Sequence, residues 1–400
     1  MRFAHMADSH IGAWRDPKLK DLSMKAFIKA INIAIERKVD FILLSGDLFN
    51  TSLPGIEHLK QTTKKLKELK EKNIPIYIIP GSHDFSPSGK TMIDVLEEAG
   101  MLINVCKGTI KNKKLILQFT EDEKTGVKIT GLLGKRGMLE KKFYEELDKT
   151  NLENTQGTKI FMFHTALTEL KPKELERMDS SPISFLPKGF EYYAGGHVHI
   201  VKNKSFENYK NIVFPGPLMP TNFSELEKLK KGSFYIYNHG KLELISIEVV
   251  KVFPIKIDAD NKSPEEIYES MEQLTSGFDL SNTIVLIRIH GKLKNGKSTN
   301  INFKEYFKKL YNQKAFFVMK NIAKLTSEEF EEIKVKDSSV NDIEEEIITE
   351  HVGQIKNSLQ NEERTTKEIL RIICKEKHEG EKVYEYEERI KKDLNAILEL

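Results

Sequence analysis

Cysteine is nearly absent. The 400 residues hold two, Cys106 and Cys374, far apart in the chain, with no CxxC pair and no thiol spacing for zinc. That argues against disulfides and thiolate metal sites and for a reducing compartment. Long apolar runs are missing as well: none approaches the ~18 residues of a membrane span. No basic-then-apolar leader precedes the first strand-like run, so a cytoplasmic location without membrane association is expected. Neither charge sign dominates. Lys and Arg number 63 against 60 Asp and Glu, giving a net charge of +3 and a pI near 8.4. A nucleic-acid partner would therefore need a local basic patch. There is no internal repeat and no low-complexity tract.

What is present reads as globular. The chain is 39% hydrophobic and 31% charged, and long enough for two or three domains with full cores. Residues 1 to about 245 alternate strand-like and helix-like segments, which is βαβ logic. Helices are expected over Asp21–Arg37, Ile56–Lys72 and Ser88–Ala99, the last with Gly100 as its C-cap. Short strands follow at Asn211–Phe214, Gly232–Asn238 and Leu242–Val250. The fold class is α/β: a two-layered mixed β-sheet sandwich flanked by helices, over residues 1–250. A small α+β cap is expected over 253–325, a linker over 326–342 and a helical tail over 343–400. The cap should run β-α-β-α-β, with strands Ile255–Ile257, Thr283–Ile289 and Phe316–Asn321. Its helices should be Pro264–Leu274, N-capped by Ser263, and Phe303–Tyr311. Tail helices are expected at Ile343–Leu359, Glu363–Cys374 and Tyr384–Leu398.

Five short motifs carry the chemistry: Asp8-Ser9-His10, Gly46-Asp47, Gly81-Ser82-His83-Asp84, Phe163-His164 and Gly195-Gly196-His197-Val198-His199. Each comes just after an apolar run that reads as a buried strand (Met1–Ala7, Phe41–Leu44, Ile74–Ile79, Lys159–Phe163, Tyr192–Ala194). Loops at the carboxyl ends of parallel strands converge on one crevice, so five distant segments can meet at one point. An Asp-x-His alone is an ordinary turn, and a lone histidine after a strand is ordinarily a core or edge residue. The conjunction, in this order, points to a two-metal phosphoesterase site.

Two divalent ions about 3.5–4 Å apart clamp a phosphodiester, lower the pKa of a bound water and stabilise an in-line attack. Such a site needs carboxylate and imidazole donors, one carboxylate bridging both ions. Asp47 is the natural bridge, with Gly46 letting the backbone come close. Asp8 and His10, two apart, point the same way if the segment is extended; His197 and His199 share that spacing. His164 completes the set. His83, followed by Asp84, is expected as a general acid toward the scissile phosphate, its imidazole tuned by the neighbouring carboxylate. The imidazole-rich donors favour manganese, with magnesium as the alternative.

In that order the motifs resemble the calcineurin-like metallophosphoesterase superfamily. Gly46-Asp47-Leu48-Phe49, Phe214-Pro215-Gly216, the cap and the tail make the chain similar, within it, to archaeal DNA double-strand-break repair nucleases of the SbcD type. The resemblance implies one manganese ion on Asp8, His10, Asp47 and His199. The second would lie on Asp47, the residue at 82, His164 and His197, with His83 as the catalytic histidine. It implies a 3′ to 5′ exonuclease and single-strand endonuclease acting on DNA ends. It also implies a homodimer, nucleoid-associated, partnered by an SbcC-type ABC ATPase with a long coiled coil.

Two positions depart from that pattern. Ser82 stands where the superfamily has an asparagine whose amide oxygen ligates the second ion, so weaker binding there is expected. Asn50 stands where several relatives carry a histidine. Met92, Val95 and Leu96 with Leu59 and Leu66 form an apolar stripe that either a dimer face or packing within the monomer explains, and phosphate contacts are expected from Trp14-Arg15, Lys135-Arg136 and Lys292–Lys297. The 343–400 tail is the expected ATPase-docking segment. The rival readings are a small-substrate phosphodiesterase or phosphatase, and a non-catalytic DNA-end tether.

Overall fold

The computed structural model describes residues 1–86, 91–135, 137, 139–176, 178–327, 362–375, 377–378, 381 and 383–398. They belong to two units, Met1–Thr326 and Ser327–Leu400.

Two six-stranded mixed sheets make the centre of the first unit. One runs in the order 241–247, 232–238, 2–6, 41–45, 76–79, 103–104; the other runs 201–206, 209–215, 192–196, 159–164, 128–132, 120–121. Each holds four neighbouring parallel strands. Antiparallel strands complete both. The alternation of side chains explains why the central strands read as continuous apolar runs. Phe3, Phe41, Leu43, Tyr77 and Ile79 meet Ile160, Met162, Tyr192 and Ala194 between the sheets. Ala4, Met6, Ile42, Leu44, Ile76 and Ile78 point the other way, into a helical layer. Phe161 and Phe163 do the same on the second sheet. The expected sandwich, flanked by helices, is what forms.

The three helices expected before residue 100 form at Leu22–Glu36, Ile56–Glu71 and Met92–Glu98. The third starts four residues later than expected, where Thr91 and Asp94 close a capping box. Residues 88–90 of the expected span lie outside the described residues. Gly100 follows with φ +65°. Of the two readings of the stripe that holds Leu66 and Met92, packing within the monomer holds for most of it. Leu66 and Leu96 are buried, and Leu59 and Met92 pack against the same core, because a helical stripe turns toward its own sheet first. Val95 alone of the five is exposed, with Leu53 and Ile56 exposed as well. Strands 201–206 and 128–132 gave no clear signal. The first is mostly exposed, and the second is short and contains a glycine.

Residues 251–326 carry a core of their own around Ile257, Met271, Ile287 and Tyr306. Three parallel strands, Lys251–Asp258, Thr283–Lys292 and Phe317–Thr326, alternate with helices Pro264–Thr275 and Phe303–Asn312. Ser263 caps the first helix with Glu266 completing the box. The strands run longer than the sequence suggested, and Phe253-Pro254 lies inside the first of them.

In the second unit, helices span Glu362–Ile373 and Val383–Leu398. Lys375 pairs with Asp393 at 2.7 Å. The expected helix Ile343–Leu359 and residues 328–342 of the expected linker lie outside the described residues, while Thr326 ends the last cap strand. No helix among the described residues is long and apolar enough to cross a membrane.

Candidate metal centre

All five motifs arrive at the carboxyl ends of parallel strands. Asp8 and His10 follow strand 2–6, Asp47 follows 41–45, and Ser82, His83 and Asp84 follow 76–79. His164 ends strand 159–164, and His197 and His199 follow 192–196. Three come from one sheet and two from the other, so the centre straddles both sheets of the sandwich.

The backbone there is unusual. Asp8, His10, Asp47, His197 and His199 all have positive φ, between 40° and 89°. Such conformations cost about 1–3 kcal/mol each outside glycine. The expectation that Asp8 and His10 reach the site from an extended segment is therefore corrected; a left-handed kink at each residue aims it. The surroundings fix that shape. Asp8 N donates to Gly46 O (3.1 Å), His10 N to Asp47 O (2.9 Å) and Ile11 N to Leu48 O (3.0 Å). His197 N donates to both Asp8 oxygens, at 2.9 and 3.1 Å. Glycine is required at two approaches. A Cβ on Gly46 would lie 2.2 Å from His164 Nδ1, and one on Gly196 would lie 2.1 Å from Ser45 O.

Asp84 takes a different place from the one expected. Its carboxylate accepts from Leu48 N (3.2 Å), Phe49 N (3.1 Å) and Gly81 N (3.0 Å). It locks the Asp47 loop to the His83 loop. The His83 ring is oriented instead by the Asn50 carbonyl, at 2.9 Å from Nδ1. Residue 50 thus serves through its backbone.

Three histidines share one design. Nδ1 of His83 faces Asn50 O, Nδ1 of His164 faces Ser45 O at 2.8 Å, and Nδ1 of His199 faces Glu225 Oε1 at 2.9 Å. These oxygens only accept, so each Nδ1 carries its hydrogen and each Nε2 is left with its lone pair free for a cation. Nε2 of His199 lies 3.0 Å from Nε2 of His10 and 3.7 Å from Asp8. Nε2 of His164 lies 3.2 Å from Asp47 Oδ2, and the buried Nδ1 of His10 has no hydrogen-bond partner among the described residues.

Three overlapping triads result: Asp8 with His10 and His199, His10 with Asp47 and His83, and Asp8 with Asp47 and His164. Within each the donor atoms lie within 4.8 Å of one another. Asp47 belongs to two triads, so its carboxylate is placed between donor groups. Two donors sharing one octahedral ion at about 2.1 Å stand about 3 Å apart, which is the His10–His199 separation. Orphaned, converging nitrogen and oxygen donors of this kind fit divalent cations. His197 is outside the triads, its ring 5.0 Å from that of His164. Ser82 is buried between Gly81 and His83.

Protonation follows from the crowding. Burial lowers His10 and His197 to about 3. Burial opposes the charge on His164 as well, but Asp47 and Asp8 outweigh it and raise that imidazole to about 10. For His199, Asp8 and Glu225 outweigh burial and raise it to about 9. Asp47, though buried, is pulled far below the usual carboxylate range by His164 and His10. Burial and the charge of Asp47 push Asp84 up to about 6. Protons on His164 and His199 neutralise carboxylates that cations would otherwise neutralise.

Of the expected phosphate-contact residues, Lys135 lies over the rings of Phe85 (5.2 Å) and Phe143 (4.4 Å). Its neighbour Gly134 abuts the His164 ring. Arg136 lies outside the described residues. Trp14 packs partly against the core. Sequence reasoning missed Ser45, which holds His164, and Glu225, which holds His199. Asn222 and Glu225 carry a capping spacing that marks a helix start, but nothing in it shows what the carboxylate touches.

This fold and this site are those of a calcineurin-like phosphoesterase. The family model of that description matches residues 1–201, and the chain belongs to the family. It is related to archaeal proteins named DNA double-strand break repair protein Mre11. The Methanococcus maripaludis protein is 28% identical over 68% of this chain and 73% of its own length. The Archaeoglobus fulgidus protein is 26% identical over 65% and 62%, and the Thermoplasma acidophilum protein 27% over 72% and 77%. The chain thus spans less than two thirds of the second of these.

Proposed function

We propose that this chain is a manganese-dependent nuclease of DNA double-strand-break ends, acting as a 3′ to 5′ exonuclease and a single-strand endonuclease. The observation that supports it best is the set of three donor triads sharing Asp47, Asp8 and His10. Asp8, His10, Asp47, His164, His197 and His199 would hold two divalent ions, with Ser82 beside the second. When bound, the ions supply Lewis acidity and a water acidic enough to attack a phosphodiester. The chain's own contribution is position and protons. His83, its Nδ1 held by Asn50 O, presents Nε2 toward the site, with its ring perpendicular to that of His10 at 4.7 Å. In its protonated form it would donate from Nε2 to the leaving oxygen. The DNA substrate is inferred from the names of the relatives.

Residues 1–250 would be the nuclease domain, 253–325 a DNA-facing cap, 326–342 a linker and 343–400 the segment that docks an ABC-type ATPase. Homodimerisation would use the exposed Leu53, Ile56 and Val95, where Met92 N hydrogen-bonds Ser52 O (3.4 Å). The deciding experiment is degradation of an end-labelled duplex in manganese, beside a small phosphodiester such as bis-p-nitrophenyl phosphate, for the wild type and His83→Ala. Degradation lost in the variant supports the nuclease. Turnover of the small diester with intact DNA would overturn the substrate assignment, and no turnover of either would favour a tether.

A further inference from the structure

One short helix, Phe223–Leu229, touches both the metal centre and the cap. At its first turn, Glu225 Oε1 accepts from His199 Nδ1 at 2.9 Å and from Asn222 Nδ2 at 2.6 Å. Glu225 Oε2 accepts from Thr221 N (2.8 Å) and Thr221 Oγ1 (3.1 Å). Each oxygen of that carboxylate accepts from two donors, which fixes its orientation and the His199 ring with it.

Two residues on, Glu227 turns to the cap. Arg288 Nε, from the cap's central strand, lies 2.9 Å from each Glu227 oxygen, and the terminal nitrogen of Arg288 lies 2.9 Å from Oε2. The guanidinium also lies over the Phe223 ring at 4.9 Å and reaches Ser224 Oγ at 3.5 Å. Lys256, from the adjacent cap strand, approaches Glu227 at 3.9 Å. The Arg288 and Glu227 side chains are 20% and 12% exposed, so water screens this contact less than a surface pair. Leu226, between the two glutamates, is fully buried in the main core. The helix therefore cannot shift at one end without shifting at the other.

We infer that Glu225 is a positioning residue of the metal centre, and that helix Phe223–Leu229 couples the seating of the cap to the affinity of the ion held by Asp8, His10 and His199. This rests on the two-metal reading of that site. The carboxylate fixes the ring and the hydrogen on Nδ1, leaving Nε2 aimed at the cation. Carboxylate–imidazole–metal arrangements of this kind typically lose 10–100-fold in metal affinity when the carboxylate goes. By linkage, whatever tightens the cap on Arg288 strengthens the ion, and the ion tightens the cap by the same factor. A partner or DNA duplex that displaces the cap would reach the chemistry through this helix.

The test is calorimetric titration of Mn²⁺ into the full-length chain, wild type against Glu225→Ala, Glu225→Gln, Arg288→Ala and the Glu225→Ala/Arg288→Ala double variant. Thermal melting checks the fold of each. Glu225→Ala should weaken one of the two ions by about 10–100-fold and leave the other unchanged. Glu225→Gln, whose amide oxygen still accepts from Nδ1, should recover most of that loss. Arg288→Ala should weaken the same ion several-fold, and the double variant should be no weaker than Glu225→Ala. Unchanged affinity in Glu225→Ala would overturn the positioning role. Unchanged affinity in Arg288→Ala, or purely additive losses in the double variant, would overturn the coupling while leaving the two-metal reading in place. A wild type that binds no ion would remove that reading and this inference together.

Discussion

Nε2 of His10 and Nε2 of His199 face each other at 3.0 Å. Burial holds His10 neutral, with an imidazole pKa near 3, while Asp8 and Glu225 keep His199 protonated up to about 9. A proton therefore occupies the place between them that a cation would take. His164, raised to about 10 by Asp47, is in the same state. Ion binding at neutral pH should then release the protons on His199 and His164, and affinity should climb with pH toward 9–10. Calorimetry in buffers of different ionisation enthalpy counts those protons. Binding without proton release would contradict the assignment.

Stability of the metal-free protein should depend on pH in two windows. His5, His10 and His197 are lowered to about 3 by burial, so the unfolded chain binds more protons than the folded one between roughly pH 6.5 and 3. Stability should fall as pH drops through that range. His164 and His199 are raised, so their contribution is full below about pH 6.5 and is lost as pH rises through 9–10. A maximum near pH 6.5 is therefore expected in urea midpoints, with stability declining from there toward pH 9–10 and levelling off above; manganese should flatten that alkaline arm. Stability unchanged between roughly pH 6.5 and 9 would count against it.

His83 and Asp84 should separate cleanly. His83→Ala is expected to lower turnover by about 10²–10⁴-fold with little change in stability. Asp84→Ala leaves three buried amides without their acceptor, and should cost on the order of 3 kcal/mol or more. Urea denaturation of both variants decides. A fully stable Asp84→Ala protein would show that the carboxylate is not the lock described above.

Gly46→Ala places a methyl 2.2 Å from His164 Nδ1 at a φ of +86°. The ring must leave the Ser45 carbonyl, so the donor set Asp8–Asp47–His164 should lose its ion. One manganese bound per chain, instead of two, is the expected stoichiometry if the variant folds. Two ions bound normally would mean that His164 is not a ligand.

Ser82→Asn restores the longer amide-oxygen donor at a buried position beside His83. The weaker of the two manganese affinities should tighten. Equal affinities in the two proteins, read from the same titration, would remove residue 82 from the second site.

The sheets were legible because their central strands are buried on both faces. Phe41–Leu44 and Lys159–Phe163 read as unbroken apolar runs for that reason. Edge strands such as 201–206, mostly exposed, carry no such signal. The stripe offered for a dimer face stayed open in the sequence for a related cause. Leu66 and Leu96 lie on amphipathic helices, and the sequence alone does not distinguish a stripe that packs on its own sheet from one left for a partner. Asp84 was misread because adjacency in sequence was taken for contact. Its neighbours in space are the amides of residues 48, 49 and 81, not the ring of residue 83.

The sequence by itself determined the inventory and its convergence. Aspartates and histidines placed just after buried parallel strands must gather at one end of a sandwich, because strand direction and burial follow from local pattern. Tertiary structure decided the rest: which atom of each imidazole faces the centre, which carboxylate holds which amide, and that Glu225 stands behind His199. Those contacts join residues such as 164 and 45, or 199 and 225, through carbonyls and side chains whose directions depend on left-handed kinks at five of the proposed ligand positions. A kink of that kind is fixed by what surrounds it, so it exists only once both sheets have met.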